Sequence, residues 1–526
     1  MKIALAQLNY TIGDIDGNTS KIIDSINKAK AQRADLVIFA EQAVSGTPAF
    51  DLLRKTTFLE LCEDALVEIA SCCDGIAAIV GLPILTREGT ISAAALIQDR
   101  KVLRYVGKKY ITARREMGFL VPSKGFEYAT IKGHKCAIVV GDDLSREHDF
   151  DKSVETVISI NARKYGRGTM TYRYEMMRHL SFVEGKNLVL VNQVGGSTDI
   201  VYDGTSGAFN NRGELVLMMK HFEEDFLIFD TKAAGEPVSI PSTYNDRTRM
   251  VYQAARCGLR DFFVKNGYKK ACIGLSGGID SAVVACLAAD ALGRQNIRAL
   301  LLPSQFSSDH SVEDAKKLAE NLGIEYNVIP ITEIYTSVVN TLKPVIGGRE
   351  FDATEENIQT RIRTVLLMAV QNKADYILLN SSNKSENALG LCTLYGDTAG
   401  AFSPTGDLYK SEMYDLARYI NRTQGDPIPG NILDKEPSSE LHPGQKDSDI
   451  LPPYEVVDAI LYRMIEEGQH REEIVNAGFD SEVVEKIHAM IMRNEKKRYQ
   501  FPPVLRLSMC SFGHERLMPL TNKYGD

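Results

Sequence analysis

Six consecutive residues, Ser276-Gly277-Gly278-Ile279-Asp280-Ser281, carry the strongest chemical signal in the chain. The apolar run Cys272-Ile273-Gly274-Leu275 leads into them and suits a buried strand, and Ala282-Val283-Val284-Ala285 opens a helix-forming run after them. Strand, glycine turn and helix aim several backbone N–H groups and a helix N-terminus at one spot, which favours a polyanion such as phosphate. Two adjacent glycines permit positive φ and a close approach of the backbone. Ser276 and Ser281 add hydroxyls. Asp280 has the wrong sign for a phosphate contact and is expected to hold a magnesium ion. The competing reading is an ordinary glycine turn, and the complete hexapeptide in this context outweighs it.

A second set lies in the first half. Glu41 follows the apolar run 35–40, Lys108 follows the run 101–105, and Gly141 follows the run 135–140. Strand ends in layered α/β folds are where side chains emerge to do chemistry. Around these, 2–9, 76–83 and 90–98 read as strands and 18–31 as a helix. Beyond the linker, 244–266 and 308–322 read as helices and 296–302, 326–329 and 375–379 as strands. Alternating strand and helix implies a parallel, doubly wound sheet.

A chain of 526 residues is too long for one core. The stretch 231–242 combines Ala-Ala-Gly, two prolines and a serine pair, and reads as a linker. It sets one domain at 1–235 and another at 236–526. The net charge of −8 argues against nucleic acid or a membrane surface as partner. No apolar run reaches membrane-spanning length, and residues 1–7 read as a strand, not a signal peptide. Nine scattered cysteines without a Cys-x-x-Cys pair suggest reduced thiols, a cytoplasmic location and no zinc site.

Ser-Gly-Gly-x-Asp-Ser is not the Walker loop, which needs a lysine after its glycines. It resembles the pyrophosphate loop of the ATP pyrophosphatases, which adenylate a carboxylate or carbonyl and release pyrophosphate. The first half resembles the nitrilase (carbon–nitrogen hydrolase) superfamily, an α-β-β-α sandwich whose catalytic set is a glutamate base, a lysine for the oxyanion and a cysteine nucleophile. Glu41 and Lys108 match the first two, with Lys109 as the alternative lysine. The cysteine position holds Gly141. Hydrogen cannot replace a thiolate in thioester formation, so this domain is expected not to hydrolyse glutamine. Cys136, five residues upstream, lies on the opposite strand face from residue 141 and reads as core. The segments Asn192-Gln193-Val194-Gly195-Gly196 and Asp203-Gly204-Thr205-Ser206 extend the resemblance. The basic stretch 163–168 replaces the family's loop near the substrate, with a solvated loop as the bland alternative.

The second half carries Glu356-Asn357-Ile358-Gln359-Thr360-Arg361-Ile362-Arg363, Asn380-Ser381-Ser382-Asn383-Lys384-Ser385-Glu386, Leu394-Tyr395-Gly396-Asp397, Gly406-Asp407-Leu408-Tyr409-Lys410 and Leu451-Pro452-Pro453-Tyr454. From residue 244 to the end the chain resembles the NAD synthetase family, and with the first half its two-domain, glutamine-dependent form. The resemblance implies adenylation of deamido-NAD by ATP, with Mg2+, and displacement of AMP by ammonia. It implies an ATP site at Gly274, Leu275, Ser276, Gly277, Gly278, Ile279, Asp280, Ser281 and Ser381. Asp280 and Glu386 are the implied metal ligands, and Asp280, Glu386 and Lys410 the implied catalytic set. Asn357, Glu386, Asp397 and Lys497 are the implied deamido-NAD contacts. It also implies a homo-oligomer, and the missing nucleophile leaves room for a protein partner that supplies ammonia. Residues 436–449 read as a mobile loop over the adenylate.

Each residue has a bland counterpart. Glu386 could complete a helix cap begun at Asn383, Lys410 could be a surface charge, Lys496-Lys497-Arg498 a solvated helix face, and Asn357 helix N-terminal polarity. Two other functions stay open at this point. One is a glutamine-hydrolysing amidotransferase with an unrecognised nucleophile or another adenylated substrate, and the other is a non-enzymatic nucleotide sensor.

Overall fold

The computed structural model describes residues 1–146, 149–233, 236–244 and 246–523. The chain divides into two compact units, Met1–Asn245 and Asp246–Asp526. The boundary expected at 235/236 falls on Gly235, outside the described residues. Past it, the Val238 N–H donates to the Leu215 carbonyl and Tyr244 stacks on His221, so this part of the linker packs on the first unit.

The first unit contains two six-stranded mixed sheets. One runs in the order Asp225–Asp230, Lys2–Gln7, Leu36–Ile38, Ala77–Leu85, Thr90–Gln98, Lys101–Gly107. The other runs Leu215–Met218, Gly207–Phe209, Asn187–Asn192, Thr156–Asn161, His134–Val140, Glu127–Ile131. Apolar side chains from both sheets, such as Ile3, Leu5 and Ile38 with Ile138, Ile158 and Val189, form one continuous core. Helices Ile15–Ala31 and Thr56–Ser71 pack on the first sheet and Thr169–Glu184 on the second. The result is an α-β-β-α sandwich. Helix Ile15–Ala31 starts earlier than its apolar period suggested, because the Asp14 side chain accepts the Gly17 N–H and caps it there.

The second unit is built on a parallel sheet ordered Glu325–Val328, Ile297–Leu301, Ala271–Gly274, Ile377–Leu378. The chain moves outward from Ala271–Gly274 through the next two strands, then returns on the other side at Ile377–Leu378. That reversal makes a switch point between Ala271–Gly274 and Ile377–Leu378, and in open α/β sheets ligands bind outside the carboxyl ends of the strands at such a point. Both segments that leave those two ends are the polar ones singled out in the sequence.

Candidate active site

The glycine loop emerges from strand Ala271–Gly274 and enters helix Ile279–Leu292. Gly277 has φ +79°, and a Cβ there would lie 2.2 Å from the Ser311 carbonyl oxygen. Only glycine fits, for conformation and for space. The loop is tied to itself: the Gly278 N–H donates to Ser276 Oγ at 3.1 Å, and the Ser276 N–H donates to Ser281 Oγ at 3.2 Å. These bonds hold the two hydroxyls 3.0 Å apart. Ser381 follows Asn380 just past the neighbouring strand Ile377–Leu378 and is half-buried.

Three residues far apart in sequence meet beside this loop. Lys410 Nζ lies 2.5 Å from Asp280 Oδ2 and 3.5 Å from Glu386 Oε1. Lys410 opens helix Lys410–Gln424 and is buried, so it is no surface charge. Asn383 Oδ1 accepts the Glu386 N–H at 2.9 Å and caps helix Lys384–Leu389, while its Nδ2 donates to Asp280 Oδ1 at 3.0 Å. The cap reading of this segment therefore holds for Asn383, and the Glu386 carboxylate is free to face Lys410. Burial pulls the Lys410 ammonium down, but Asp280 and Glu386 outweigh it and hold its pKa above the ordinary lysine value. Burial, then the Asp280 charge, push Glu386 up to about 8.

Among the described residues no three His, Cys, Asp or Glu side chains form a protein-only metal cage. Magnesium usually takes one or two carboxylates together with substrate phosphates and water. The acidic pair Asp280 and Glu386 beside a phosphate-shaped loop fits that donor set.

A second group gathers around residues 390–397. Thr393 links two of the expected residues: its Oγ1 donates to Asn357 Oδ1 at 2.5 Å, and its N–H donates to Asp397 Oδ1 at 2.7 Å. Burial pushes Asp397 up to about 6. Lys497 Nζ donates to the carbonyls of Gly390 at 2.6 Å and Cys392 at 2.8 Å. Arg498 is buried and donates to the Asn387 and Ala388 carbonyls. Lys497 and Arg498 are thus not a solvated face; they bind carbonyls at the end of helix Lys384–Leu389. No spacing signal marks Thr393, Arg498 or the half-buried Arg363, whose Nε donates to the Leu302 carbonyl just past strand Ile297–Leu301. The loop 436–449 is pinned at Glu440, whose carboxylate accepts Ser308 Oγ at 2.6 Å and Ser311 Oγ at 2.7 Å.

In the first unit, Lys108 Nζ lies 3.2 Å from Glu41 Oε1 and 2.9 Å from Glu116 Oε2. Lys109 instead places its Nζ over the Tyr110 ring. Gly141 has φ +60°, and a Cβ there would sit 2.8 Å from Glu41 Oε2 and 2.9 Å from Lys108 Nζ. The three residues expected to form a site therefore do converge, with no side chain at the third. Burial lowers the Lys108 pKa, but Glu41, Glu116 and Asp142 override it and raise it. Asp143 Oδ2 and Oδ1 accept the N–H groups of Lys109 and Tyr110 at 2.8 Å each, which fixes the backbone after Lys108. Arg163 Nη2 lies 3.1 Å from Asp142 Oδ1, so the basic stretch 163–168 is anchored at its start and is not a solvated loop there. Cys136 lies in the shared core, and burial pushes its thiol up to about 12. Glu116 was missed, because nothing in its spacing from Lys108 marks it as a partner.

A sequence profile of the NAD synthase family matches residues 251–501. The glutamine-dependent NAD(+) synthetase of Aquifex aeolicus is 37% identical, covering 100% of this chain and 100% of that protein. The enzyme of the same name from Acinetobacter baylyi is 37% identical over 99% of this chain and 98% of its own. A solved glutamine-dependent NAD+ synthetase from Acinetobacter baumannii, in complex with ADP, superposes with a TM-score of 0.78 at 35% identity, covering 99% of this chain and 98% of that one. A glutamine-dependent NAD(+) synthetase structure from Cytophaga hutchinsonii shares the fold with a TM-score of 0.87 at 19% identity, over 99% and 98% of the two chains.

Proposed function

The chain belongs to the glutamine-dependent NAD(+) synthetase family, and from that premise we propose that it makes NAD with free ammonia and not with glutamine. It is a ligase that forms a carbon–nitrogen bond at the expense of ATP. The observation that carries the ammonia reading is the empty position at Gly141, between a glutamate and a lysine that still converge on it.

In the proposed reaction the nicotinate carboxylate of deamido-NAD attacks the α-phosphorus of ATP. The P–O bond to pyrophosphate breaks, and an acyl adenylate forms. Ammonia then attacks the acyl carbon, AMP leaves with the electron pair, and the amide nitrogen loses a proton. Ser276 to Ser281 cradle the phosphates with backbone N–H groups and hydroxyls. Ser381 contributes a hydroxyl to ATP from the adjacent strand end. Asp280 and Glu386 would hold Mg2+, which neutralises phosphate charge when bound. Lys410, already buried beside both carboxylates, offsets charge growing on the leaving phosphate. Asn357, Asp397 and Lys497 are assigned to the dinucleotide. The contacts of Thr393 with Asn357 and Asp397 support treating them as one surface.

A cytoplasmic location is part of this reading, supported by nine free cysteines. Among the described residues no helix is long and apolar enough to cross a membrane. We assign a homo-oligomer on family grounds, and the missing nucleophile leaves room for a separate ammonia-supplying protein.

The test follows AMP from ATP and deamido-NAD, with ammonium or with ammonia-free glutamine as the sole nitrogen source. Turnover with ammonium alone is expected. Equal turnover with glutamine would overturn the reading, and so would labelled amide nitrogen from glutamine appearing in NAD.

A further inference from the structure

Helix Tyr454–Ile465 presents Tyr454 and Asp458 on one face, one turn apart. Both meet the Lys410 region. The Tyr454 ring centroid lies 5.5 Å from Lys410 Nζ. Asp458, only 5% exposed, reaches the backbone that carries Lys410. Its Oδ2 accepts the Ser411 N–H at 2.8 Å, and its Oδ1 accepts the Ser385 hydroxyl at 2.5 Å. Ser385 Oγ in turn accepts the Lys410 N–H at 2.9 Å. The first two N–H groups of helix Lys410–Gln424 have no partner inside the helix, and Ser385 and Asp458 satisfy both. A carboxylate at that end also suits the helix dipole.

Ser385 adjoins Glu386. One carboxylate therefore joins the short helix bearing Glu386 to the helix bearing Lys410, behind the meeting point of the two side chains. We propose that Asp458 is a positioning residue for adenylation: with Ser385 as its intermediary it sets Lys410 Nζ against Asp280 and Glu386. This rests on the role assigned to Lys410 above. Asp458 touches none of the reacting atoms in that assignment and acts through the backbone of two helices.

Asparagine keeps the size of Asp458 but has one oxygen, so Asp458→Asn cannot accept both bonds. Ser385→Ala removes the intermediary with almost no change in volume. Each is expected to lower kcat of the ammonium-driven reaction about ten- to a hundredfold, as a small misplacement of a catalytic group does. KM for ATP and for deamido-NAD should stay within about threefold, because the phosphate cradle is untouched. The decisive readout is a double-mutant cycle with Lys410→Ala: once the ammonium is gone, misplacing it should cost nothing further. A kcat within about twofold of the parent for both single variants would overturn the proposal. So would the same fractional loss with and without Lys410, which marks a purely structural part. A fully active Lys410→Ala would instead remove the premise in Lys410. A crippled Lys410→Ala beside a harmless Asp458→Asn would sink the positioning role alone.

Discussion

Gly141→Ala should destabilise the first unit while leaving ammonium-driven NAD synthesis in place. Residue 141 has φ +60°, the left-handed region. Placing a non-glycine residue there costs roughly 1–2 kcal/mol. The new methyl carbon would start 2.8 Å from Glu41 Oε2 and 2.8 Å from Lys108 Cε, closer than carbon tolerates. Both are ends of flexible side chains, so they can move. Lys108, however, is held between Glu41 and Glu116, with 4% of its side chain exposed, and moving it stretches a buried ion pair. Overpacking of this kind costs roughly 1–3 kcal/mol. Together the two effects amount to roughly 2–5 kcal/mol, a fall in melting temperature of roughly 4–20 °C for a unit of this size.

Differential scanning calorimetry on the full chain reads the shift, with AMP formation under saturating ammonium as the activity control. Gly141→Cys carries the same backbone strain and the same Cβ, so its melting temperature should fall by a similar amount. It also returns a thiol beside a glutamate and a lysine. Slow release of glutamate from glutamine is expected from this variant and from neither the parent nor Gly141→Ala. An unchanged melting temperature for Gly141→Ala would refute the claim that Glu41 and Lys108 fill the space a nucleophile needs. Glutamate release by Gly141→Ala equal to that of Gly141→Cys would refute the assignment of residue 141 as the lost nucleophile.

Gly277→Ala meets a carbonyl oxygen at 2.2 Å and a φ of +79°, and a backbone atom cannot step aside. ATP affinity by titration calorimetry should fall at least about tenfold, and native affinity would exclude the tight loop as the phosphate cradle. Glu386 titrates at about 8 in the folded protein, above its ordinary value, so its protonated form is the one the fold favours. Its contribution to stability is complete below the unfolded pKa near 4.3 and is lost as pH rises through about 8. The melting temperature without nucleotide should therefore decline between about pH 5 and pH 8 and level off above it, and Glu386→Gln should flatten that decline by roughly half or more. Parallel profiles for the two proteins would count against a raised Glu386.

What the sequence disclosed follows from how local each piece of chemistry is. The role proposed for the loop from Ser276 to Ser281 rests on its own backbone, so six neighbouring residues and their flanking strand and helix suffice to read it. The alternation of strand and helix was legible for the same reason. Glu386 and Lys410 were reached only by resemblance, since 130 residues separate Lys410 from Asp280 and no period links them. Asp458, Thr393 and Glu116 had no such help. Each matters through a partner supplied by the fold, and each looks like an ordinary helix or turn residue in isolation. The solvated-face reading holds for the exposed Lys496 and fails for Lys497 and Arg498 in the same way: charge density says nothing of carbonyl groups at the end of a helix that precedes them by about a hundred residues.

Lys410 is also the ammonium that the two members of the acidic pair share. In the ligand-free protein a single ammonium serves two carboxylates, Asp280 at 2.5 Å and Glu386 at 3.5 Å, and the longer, weaker contact belongs to the residue with the raised pKa. Under the proposed function, a triphosphate entering the neighbouring loop would compete for that ammonium. The two half-buried carboxylates would then repel each other unless one of them were neutralised. Protonation of Glu386, whose pKa already lies above its ordinary value, would serve one of them, and under the proposed function a divalent cation arriving with the nucleotide would serve both. Nucleotide binding and Glu386 ionisation would then be linked through Lys410, the one ammonium that both carboxylates share.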